Sequence, residues 1–142
     1  MYKYNILTEE VKSDFAFEVA ADTLTELFRG AGIAMMEAMI NVKELKAEKV
    51  WEFKVESDTL ELLLFDFLGE LVFVKDVDAV LFNDYEIKIE EENTFKLSCK
   101  AFGSDIDYDK YEILTDVKAV TMHKFVIEEK NNNWYCHVIV DL

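Results

Sequence analysis

The stretch YEIKIEEENTFKLSCKA, residues 85–101, indicates what kind of sheet this chain builds. Apolar residues alternate with polar ones on both sides of Glu91-Glu92-Asn93, starting at Tyr85 and resuming at Phe95. Strict alternation puts successive side chains on opposite faces of a β-strand, so that one face is apolar. Two such strands joined by a short polar segment predict a β-hairpin, in which the strands are antiparallel.

Other parts of the chain show the same alternation of apolar and polar residues. It occurs in residues 14–19 and again in residues 51–55. A second hairpin is predicted from residue 117 to about residue 127, with a turn at 131–133 and a return through 134–140. Strands therefore account for most of the chain, and several of them follow one another directly.

Two segments have the periodicity of an amphipathic helix, and the first begins at Asp22 or Thr23. Thr23 and Glu26 have the spacing of a capping box. Apolar residues then recur every three or four positions: Leu24, Leu27, Phe28, Ala31, Met35, Ala38 and Met39. Gly30 and Gly32 each weaken a helix by about 1 kcal/mol relative to Ala. We therefore expect this helix to pack closely against a sheet at the two glycines.

The second helix is predicted to begin at Ser57-Asp58, with Glu61 three residues beyond Asp58. Its apolar stripe has the same periodicity: Leu60, Leu63, Leu64, Phe67, Leu68 and Leu71. Asp66 and Glu70 are four residues apart and so share one face of this helix.

The order of elements is strands, helix, strand, helix and then four strands. Strands that are adjacent in sequence favour an antiparallel sheet on which helices pack. The chain has 142 residues, four glycines and no proline, and nothing in it resembles an interdomain linker. We predict an α+β fold, a largely antiparallel β-sheet structure with two amphipathic helices packed on it, in a single domain of residues 1–142.

The charge of the chain limits the partners that it can bind directly. Fifteen Lys and Arg residues against thirty Asp and Glu residues give a formal net charge of −15. Nucleic-acid binding derives its affinity from basic residues on phosphates, so this balance counts against direct binding of RNA or DNA. An anionic membrane would repel the chain for the same reason. If RNA is involved, we expect a partner protein to hold it.

Cysteine usage and the N-terminus predict a cytoplasmic protein. Cys99 and Cys136 lie in different segments without CxxC spacing, and we expect both to be buried, reduced and structural rather than disulfide-bonded or bound to zinc. The first residues lack the apolar stretch of a signal peptide. No segment approaches the roughly 20 apolar residues that a membrane span needs.

The sequence lacks the motifs of common enzymes, which predicts that the protein is not an enzyme. It has no glycine-rich phosphate loop, nucleophile elbow or HExxH motif. His123 and His137 are predicted on strands, facing different sides, with structural hydrogen bonds. Residues 103–109 resemble the start of an EF-hand loop, but Lys110 stands where the turn needs Gly and Asp116 replaces the bidentate Glu.

A different set of oxygen ligands lies at the two ends of the chain. Asp14 begins an early strand on the face opposite its apolar side chains, and Asp141 precedes Leu142, which supplies the terminal carboxylate. If the first and last strands are neighbours, these groups converge on one edge of the fold. Ca²⁺ takes six to eight oxygens, so some positions would remain for water or a partner. The alternative is that these acids are simply solvated.

Four segments resemble the archease family, whose members assist the tRNA-splicing RNA ligase. LLLFDFLGEL (62–71) resembles the family's LLxDWLNEL helix, and VKAVTMH (117–123) resembles its VKAVTYH strand. VIVDL (138–142) resembles the VxFDI at the family's C-terminus, and DFAF (14–17) corresponds to DxGx in its HTAD motif. The resemblance covers residues 4–142 with the motifs in order.

The resemblance implies both a site and a task. It implies a divalent metal, with Ca²⁺ as the first candidate, bound by Asp14, Asp141 and the Leu142 carboxylate, and a functional basic residue at Lys118. It also implies that the protein promotes guanylylation and multiple turnover of a tRNA-splicing RNA ligase during the joining of tRNA exons. The protein partner would be the ligase, and tRNA would be contacted only through it.

The chain departs from the family pattern at several positions. Val11 stands where the family has His, Ala16 where it has Gly, and Met122 where it has Tyr, and residues 8–10 are slightly longer than usual. Two alternatives to the ligase-assisting role remain open. One is a general chaperone or protein-binding module for unrelated clients. The other is a metal-dependent hydrolase that uses Asp14, Asp66 or Glu70 as base and ligand.

Overall fold

The computed structural model describes residues 1–7 and 14–142. Its elements, in chain order, are β1 (Tyr2–Ile6), β2 (Asp14–Ala21), α1 (Leu24–Met36), a 3-10 helix (Val42–Glu44), β3 (Lys49–Ser57), α2 (Leu60–Asp78), β4 (Val80–Glu91), β5 (Phe95–Asp105), β6 (Ala119–Val120), β7 (Val126–Lys130) and β8 (Asn133–Asp141).

These strands form two antiparallel sheets. The first sheet has the order β1-β2-β8-β6, and β7 also pairs with β8. The second sheet has the order β3-β5-β4. Every strand pair is antiparallel, which confirms the predicted α+β class and the antiparallel character of the sheets. The division into two sheets rests on pairings between distant parts of the chain.

The hairpin predicted from residues 85–101 is present as the central part of β4 and β5. Tyr85 pairs with Ala101, and Ile87 pairs with Cys99. β4 starts earlier than the alternation indicated, at Val80, and its register shifts between Phe82 and Asp84. Such a shift is typical of a β-bulge, which interrupts the alternation of apolar and polar residues. Strict alternation therefore does not predict the first part of this strand.

The second hairpin differs from its prediction. β7 and β8 form a hairpin whose turn contains Asn131 and Asn132 with φ of 56° and 64°. Two adjacent residues with positive φ are typical of the tight turn that joins twisted antiparallel strands. The segment 117–127, however, is not one strand, because a turn that includes Lys124 at φ 50° separates β6 from β7. His123 lies in this turn and not on a strand, so its predicted position was wrong.

α1 begins as predicted and lies between the two sheets. The Thr23 side chain accepts a hydrogen bond from the Glu26 N–H at 3.1 Å. A Cβ added at Gly30 would lie 2.8 Å from Val19 Cγ1 in the first sheet, and one at Gly32 would lie 2.6 Å from Tyr85 Cε2 in the second. The two glycines therefore allow α1 to approach both sheets at once, as their positions predicted.

The helix boundaries differ from the predicted ones at three ends. α1 ends at Met36, and the buried residues 38–40 follow it in a turn. α2 is capped by Thr59, whose side chain accepts from the Leu62 N–H at 3.1 Å, while Ser57 still belongs to β3. α2 also continues beyond Leu71 to Asp78 and packs against strands of both sheets.

Both cysteines are free thiols in the structure, and the predicted burial of Cys99 and Cys136 is confirmed. Neither α1 nor α2, the α-helices within residues 1–7 and 14–142, has the combination of length and hydrophobicity that a membrane span requires.

Candidate functional site

Asp14 and Asp141 lie directly opposite each other on two neighbouring strands of the first sheet. β2 and β8 are neighbours, and Asp14 is the register partner of Asp141. Facing residues of antiparallel strands point to the same side of the sheet, with Cβ atoms about 4.5–5.5 Å apart. The structure thus brings together the two acids that lie at opposite ends of the sequence.

The hydrophobic core fixes this register. Phe17 pairs with Val138 and Val19 pairs with Cys136, and all four side chains are buried. A slip of one residue would turn this apolar set away from the core, so the register is strongly specified. The opposition of the two carboxylates is therefore a consequence of core packing and not of any attraction between them.

The other predicted residues lie at the same end of the sheet. On the far side of β8, Ala119 pairs with Asp141, and the Lys118 N–H donates to the Asp141 carbonyl oxygen at 2.8 Å. Leu142 follows directly and packs partly buried against the hydrophobic core. We call this end of the sheet, formed by Asp14, Lys118, Asp141 and Leu142, the carboxylate rim.

A buried lysine that the sequence analysis did not identify anchors the segment before the rim. The side chain of Lys75 is 3% exposed, and its ammonium group donates to the Asp116 carboxylate and, at 2.8 Å, to the Val117 carbonyl oxygen. It also forms an ion pair of 2.7 Å with Asp76. These contacts attach the residues just before Lys118 to α2. Its position four residues after Leu71, on the apolar side of α2, is the sequence feature from which its burial, but not its partners, could have been predicted.

The charges at the rim are unbalanced. Within residues 1–7 and 14–142, neither Asp14 nor Asp141 takes part in an ion pair or a side-chain hydrogen bond. Like charges directly opposite each other on antiparallel strands destabilise a sheet. A cation, or a cationic group of a partner, would remove this repulsion. The oxygen donors available suit a hard cation, although they supply only part of the shell of Ca²⁺.

His137 has a structural role on the same face of the sheet. Its side chain is 9% exposed, and Nδ1 lies 2.7 Å from the Lys124 carbonyl oxygen. Its register partner Glu18 accepts a hydrogen bond from the Tyr135 hydroxyl at 2.9 Å. The histidine and its neighbours therefore hold the β6–β7 turn and β2 against β8.

The remaining candidate residues are engaged elsewhere. Asp105 forms an ion pair of 2.6 Å with Lys49, and Asp107 accepts from the backbone N–H of Asp109 at 3.0 Å. In α2, Asp66 accepts from the Ser57 hydroxyl at 2.7 Å. In the part of the chain that the structure describes, no three His, Cys, Asp or Glu side chains are grouped in a way that could hold a metal ion. A rim site therefore depends on the terminal carboxylate or on ligands from elsewhere.

The positions at which this chain departs from the family pattern lie in different surroundings. Val11 and residues 8–10 lie outside the described residues. Ala16 is 1% exposed and pairs with Ile139, so there is little room for a larger side chain at this position. Met122 is half exposed, at 52%, in the β6–β7 turn.

Known proteins resemble this chain over nearly its whole length. The family model described as "Archease protein family (MTH1598/TM1083)" matches residues 4–142. Protein archease of Pyrococcus abyssi is 35% identical over 135 residues, which cover 94% of this chain and 95% of that protein. Protein archease of Methanopyrus kandleri is 34% identical over 137 residues, covering 94% and 98%.

Two solved structures have the same fold. The solution structure of Methanobacterium thermoautotrophicum protein 1598 superposes with a TM-score of 0.84 at 29% identity, covering 99% of this chain and 98% of that one. The crystal structure of a Thermotoga maritima archease, named a possible chaperone, gives a TM-score of 0.61 at 18% identity, covering 96% and 98%.

Proposed function

The chain belongs to the archease family, and from that premise we propose that it is a metal-binding accessory protein of a tRNA-splicing RNA ligase. It promotes guanylylation and multiple turnover of the ligase in tRNA exon joining and performs no covalent chemistry itself. Its partner is the ligase protein in the cytoplasm, and it meets tRNA only through that partner.

The observation that carries this proposal is the opposition of Asp14 and Asp141, whose carboxylates form no ion pair with any other described residue (1–7 and 14–142). Two carboxylates and the Leu142 carboxylate would hold a divalent cation, for which Ca²⁺ is the first candidate. The cation would supply positive charge at the rim. Because these groups provide only part of an oxygen shell, the remaining positions stay open to water or to ligands from the ligase.

Lys118 and the net charge fit the same task. Lys118 is exposed beside Asp141 and offers a cationic group to a carboxylate or phosphate at the partner's active site. An enzyme that holds RNA needs a basic surface. A chain with a net charge of −15 is complementary to such a surface, which increases the rate of encounter.

Multiple-turnover joining of tRNA halves tests the proposal. The ligase from the same source is assayed alone, with this protein below stoichiometric amounts, and with the Asp141→Ala variant. Asp58→Ala is the matched control, since Asp58 is an exposed acid in the β3–α2 connection. We expect stimulation by the wild-type protein and by Asp58→Ala, and none by Asp141→Ala. Equal rates with and without the wild-type protein would refute the proposal.

The alternative is a general chaperone or protein-binding module. It is favoured by large exposed apolar side chains, among them Phe73 at 60% and Val77 at 63% exposed. The Thermotoga maritima neighbour also carries the words possible chaperone in its name. Suppression of aggregation for unrelated proteins, unaffected by Asp141→Ala, would support this alternative.

A further inference from the structure

α2 carries a second apolar stripe on the side that faces away from the core. Leu62, Phe65, Gly69, Phe73 and Val77 recur every three or four residues and so share one face of the helix. Leu62 is 42% exposed, Phe73 60% and Val77 63%. A globular protein normally gives this side of a surface helix to polar residues. We call these five residues the outer stripe.

The outer stripe has an open centre and extends beyond the helix. A Cβ at Gly69 would meet no atom within 4 Å, so a partner can approach the helix backbone there. The ring of Phe65 lies edge-on to that of Phe125, with centroids 6.0 Å apart. Phe125 ends the β6–β7 turn, where Met122 is 52% exposed. The apolar surface thus continues towards the sheet that carries the carboxylate rim.

The charges around the outer stripe indicate what covers it. Asp66 lies four residues after Leu62, and Glu70 lies three residues before Phe73, so both border the stripe. The only basic residue of α2, Lys75, is buried and paired with acids. A second copy of this chain, with a net charge of −15, would bring acid against acid. RNA is disfavoured for the same reason.

We propose that the outer stripe docks the ligase protein, through an apolar strip flanked by Lys or Arg side chains on the ligase. This inference rests on the proposed function. A few anchor side chains that become buried in a partner contribute most of the affinity of an interface, and Phe73 is the exposed aromatic side chain of the stripe. The acidic border contributes specificity and speed of association. The stripe holds the ligase, while the carboxylate rim acts on it.

Titration of the ligation assay separates these two roles. In Phe73→Ser we expect the half-saturating concentration to rise about tenfold or more, with an unchanged maximal rate at saturation. In Asp141→Ala we expect the opposite, loss of the stimulation at every concentration with an unchanged affinity for the ligase. Val50→Ser is the matched control, because Val50 is 54% exposed on β3 in the second sheet. It should behave as wild type.

A charge reversal tests the chemistry of the partner. Glu70 borders the outer stripe, whereas Glu92 lies in the exposed β4–β5 turn. Glu70→Lys and Glu92→Lys change the net charge equally. We expect Glu70→Lys to weaken binding of the ligase at least about threefold more than Glu92→Lys, because it places a cation against a basic partner. Binding is measured directly by fluorescence anisotropy with labelled ligase, and circular dichroism verifies that each variant is folded.

The outcomes distinguish this inference from the proposed function. If wild-type protein neither binds nor stimulates the ligase, the proposed function fails and the inference fails with it. If wild-type protein stimulates the ligase and Phe73→Ser matches it at every concentration, the function stands and the docking surface is refuted. Sedimentation that shows a wild-type dimer and a Phe73→Ser monomer would also overturn the inference, since a second copy would then cover the stripe.

Discussion

At several single residues, the packing of the fold holds charged groups in electrostatically unfavourable positions. Asp14 and Asp141 are placed opposite each other by the apolar pairs next to them, although their charges repel. Lys75 is a second example, because burial of an ammonium group is unfavourable unless acids and hydrogen-bond acceptors surround it. Its partners Asp116 and Val117 make that side chain a link between α2 and the segment leading to the rim.

Replacement of this lysine tests the link. In Lys75→Met the apolar part of the side chain is kept, but the Val117 carbonyl oxygen loses its partner. We expect the free energy of unfolding to fall by about 1–3 kcal/mol, the cost of leaving a buried acceptor unsatisfied. Chemical denaturation measures it, with Lys54→Met, at an exposed lysine of β3, as the control. Equal stability of the two variants would contradict the structural role.

The buried thiols predict how stability depends on pH. Burial raises the pKa of Cys99 and of Cys136 to about 12, from an ordinary value of 9.0. Above pH 9 the unfolded state releases these protons while the folded state retains them, so stability falls as the pH rises from 9 towards 12. Below pH 9 the thiols have no such effect.

Unfolding measured between pH 8 and 11 should show this decline, and a Cys99→Ala/Cys136→Ala variant should show a shallower one. The buried Tyr85, whose pKa burial also raises, adds to the decline in both proteins. Identical slopes for the two proteins would mean that the thiols do not contribute.

The sequence identified the rim residues but not their anchor. Asp14, Asp141 and Lys118 stand in motifs that resemble a family, and the structure brings them to one end of a sheet. Lys75 gave only a weak indication, because its partners lie 41 and 42 residues further along the chain. No local pattern reveals which distant carbonyl a buried ammonium group will meet.

At the level of elements, α1 shows how a helix fits between two sheets. Gly32 lets the ring of Tyr85 pack onto the helix, and the Tyr85 hydroxyl donates to the Gly32 carbonyl oxygen at 3.2 Å. The glycine lowers the helix propensity of α1 but allows this close contact with the second sheet.

Two alanine substitutions separate these effects. Gly32→Ala places a methyl group 2.6 Å from a Tyr85 ring carbon, and overpacking of this kind costs about 1–3 kcal/mol, more than the gain of about 1 kcal/mol in helix propensity. Gly69→Ala meets open space, so only the gain in propensity remains. We expect thermal unfolding to occur at a lower temperature for Gly32→Ala and at a higher one for Gly69→Ala. A stabilised Gly32→Ala would contradict the packing described for α1.

The sequence predicted the type of most elements but fewer of their ends. Alternation revealed most of the strands that have one buried face, but not β1, and the helical stripes revealed α1 and α2. The N-cap of α2 is Thr59 and not Ser57 or Asp58, because Ser57 is still part of β3 and pairs with Phe95 of β5. The break between β6 and β7 was missed because both segments pair with β8, and the sequence alone does not show that shared partner.

At the level of the whole molecule, the two sheets have different tasks. The first sheet brings Asp14 and Asp141 together at the carboxylate rim, and the second encloses the helices from the other side. α2 contacts both sheets and still exposes an apolar stripe. The rim and the stripe are thus held by one core, which would fix their relative geometry on the proposed partner.

The thermal unfolding midpoint with EDTA and with millimolar CaCl₂, at matched ionic strength, tests the carboxylate rim most directly. Wild-type protein should unfold at a higher temperature with Ca²⁺, because a ligand that binds only the folded state stabilises it. Asp141→Asn should unfold in EDTA at or above the wild-type temperature, since repulsion from Asp14 is removed, and should gain nothing from Ca²⁺. Asp58→Asn should respond like wild type. Equal shifts with Ca²⁺ in wild type and Asp141→Asn, or none in wild type, would contradict a cation site at the rim.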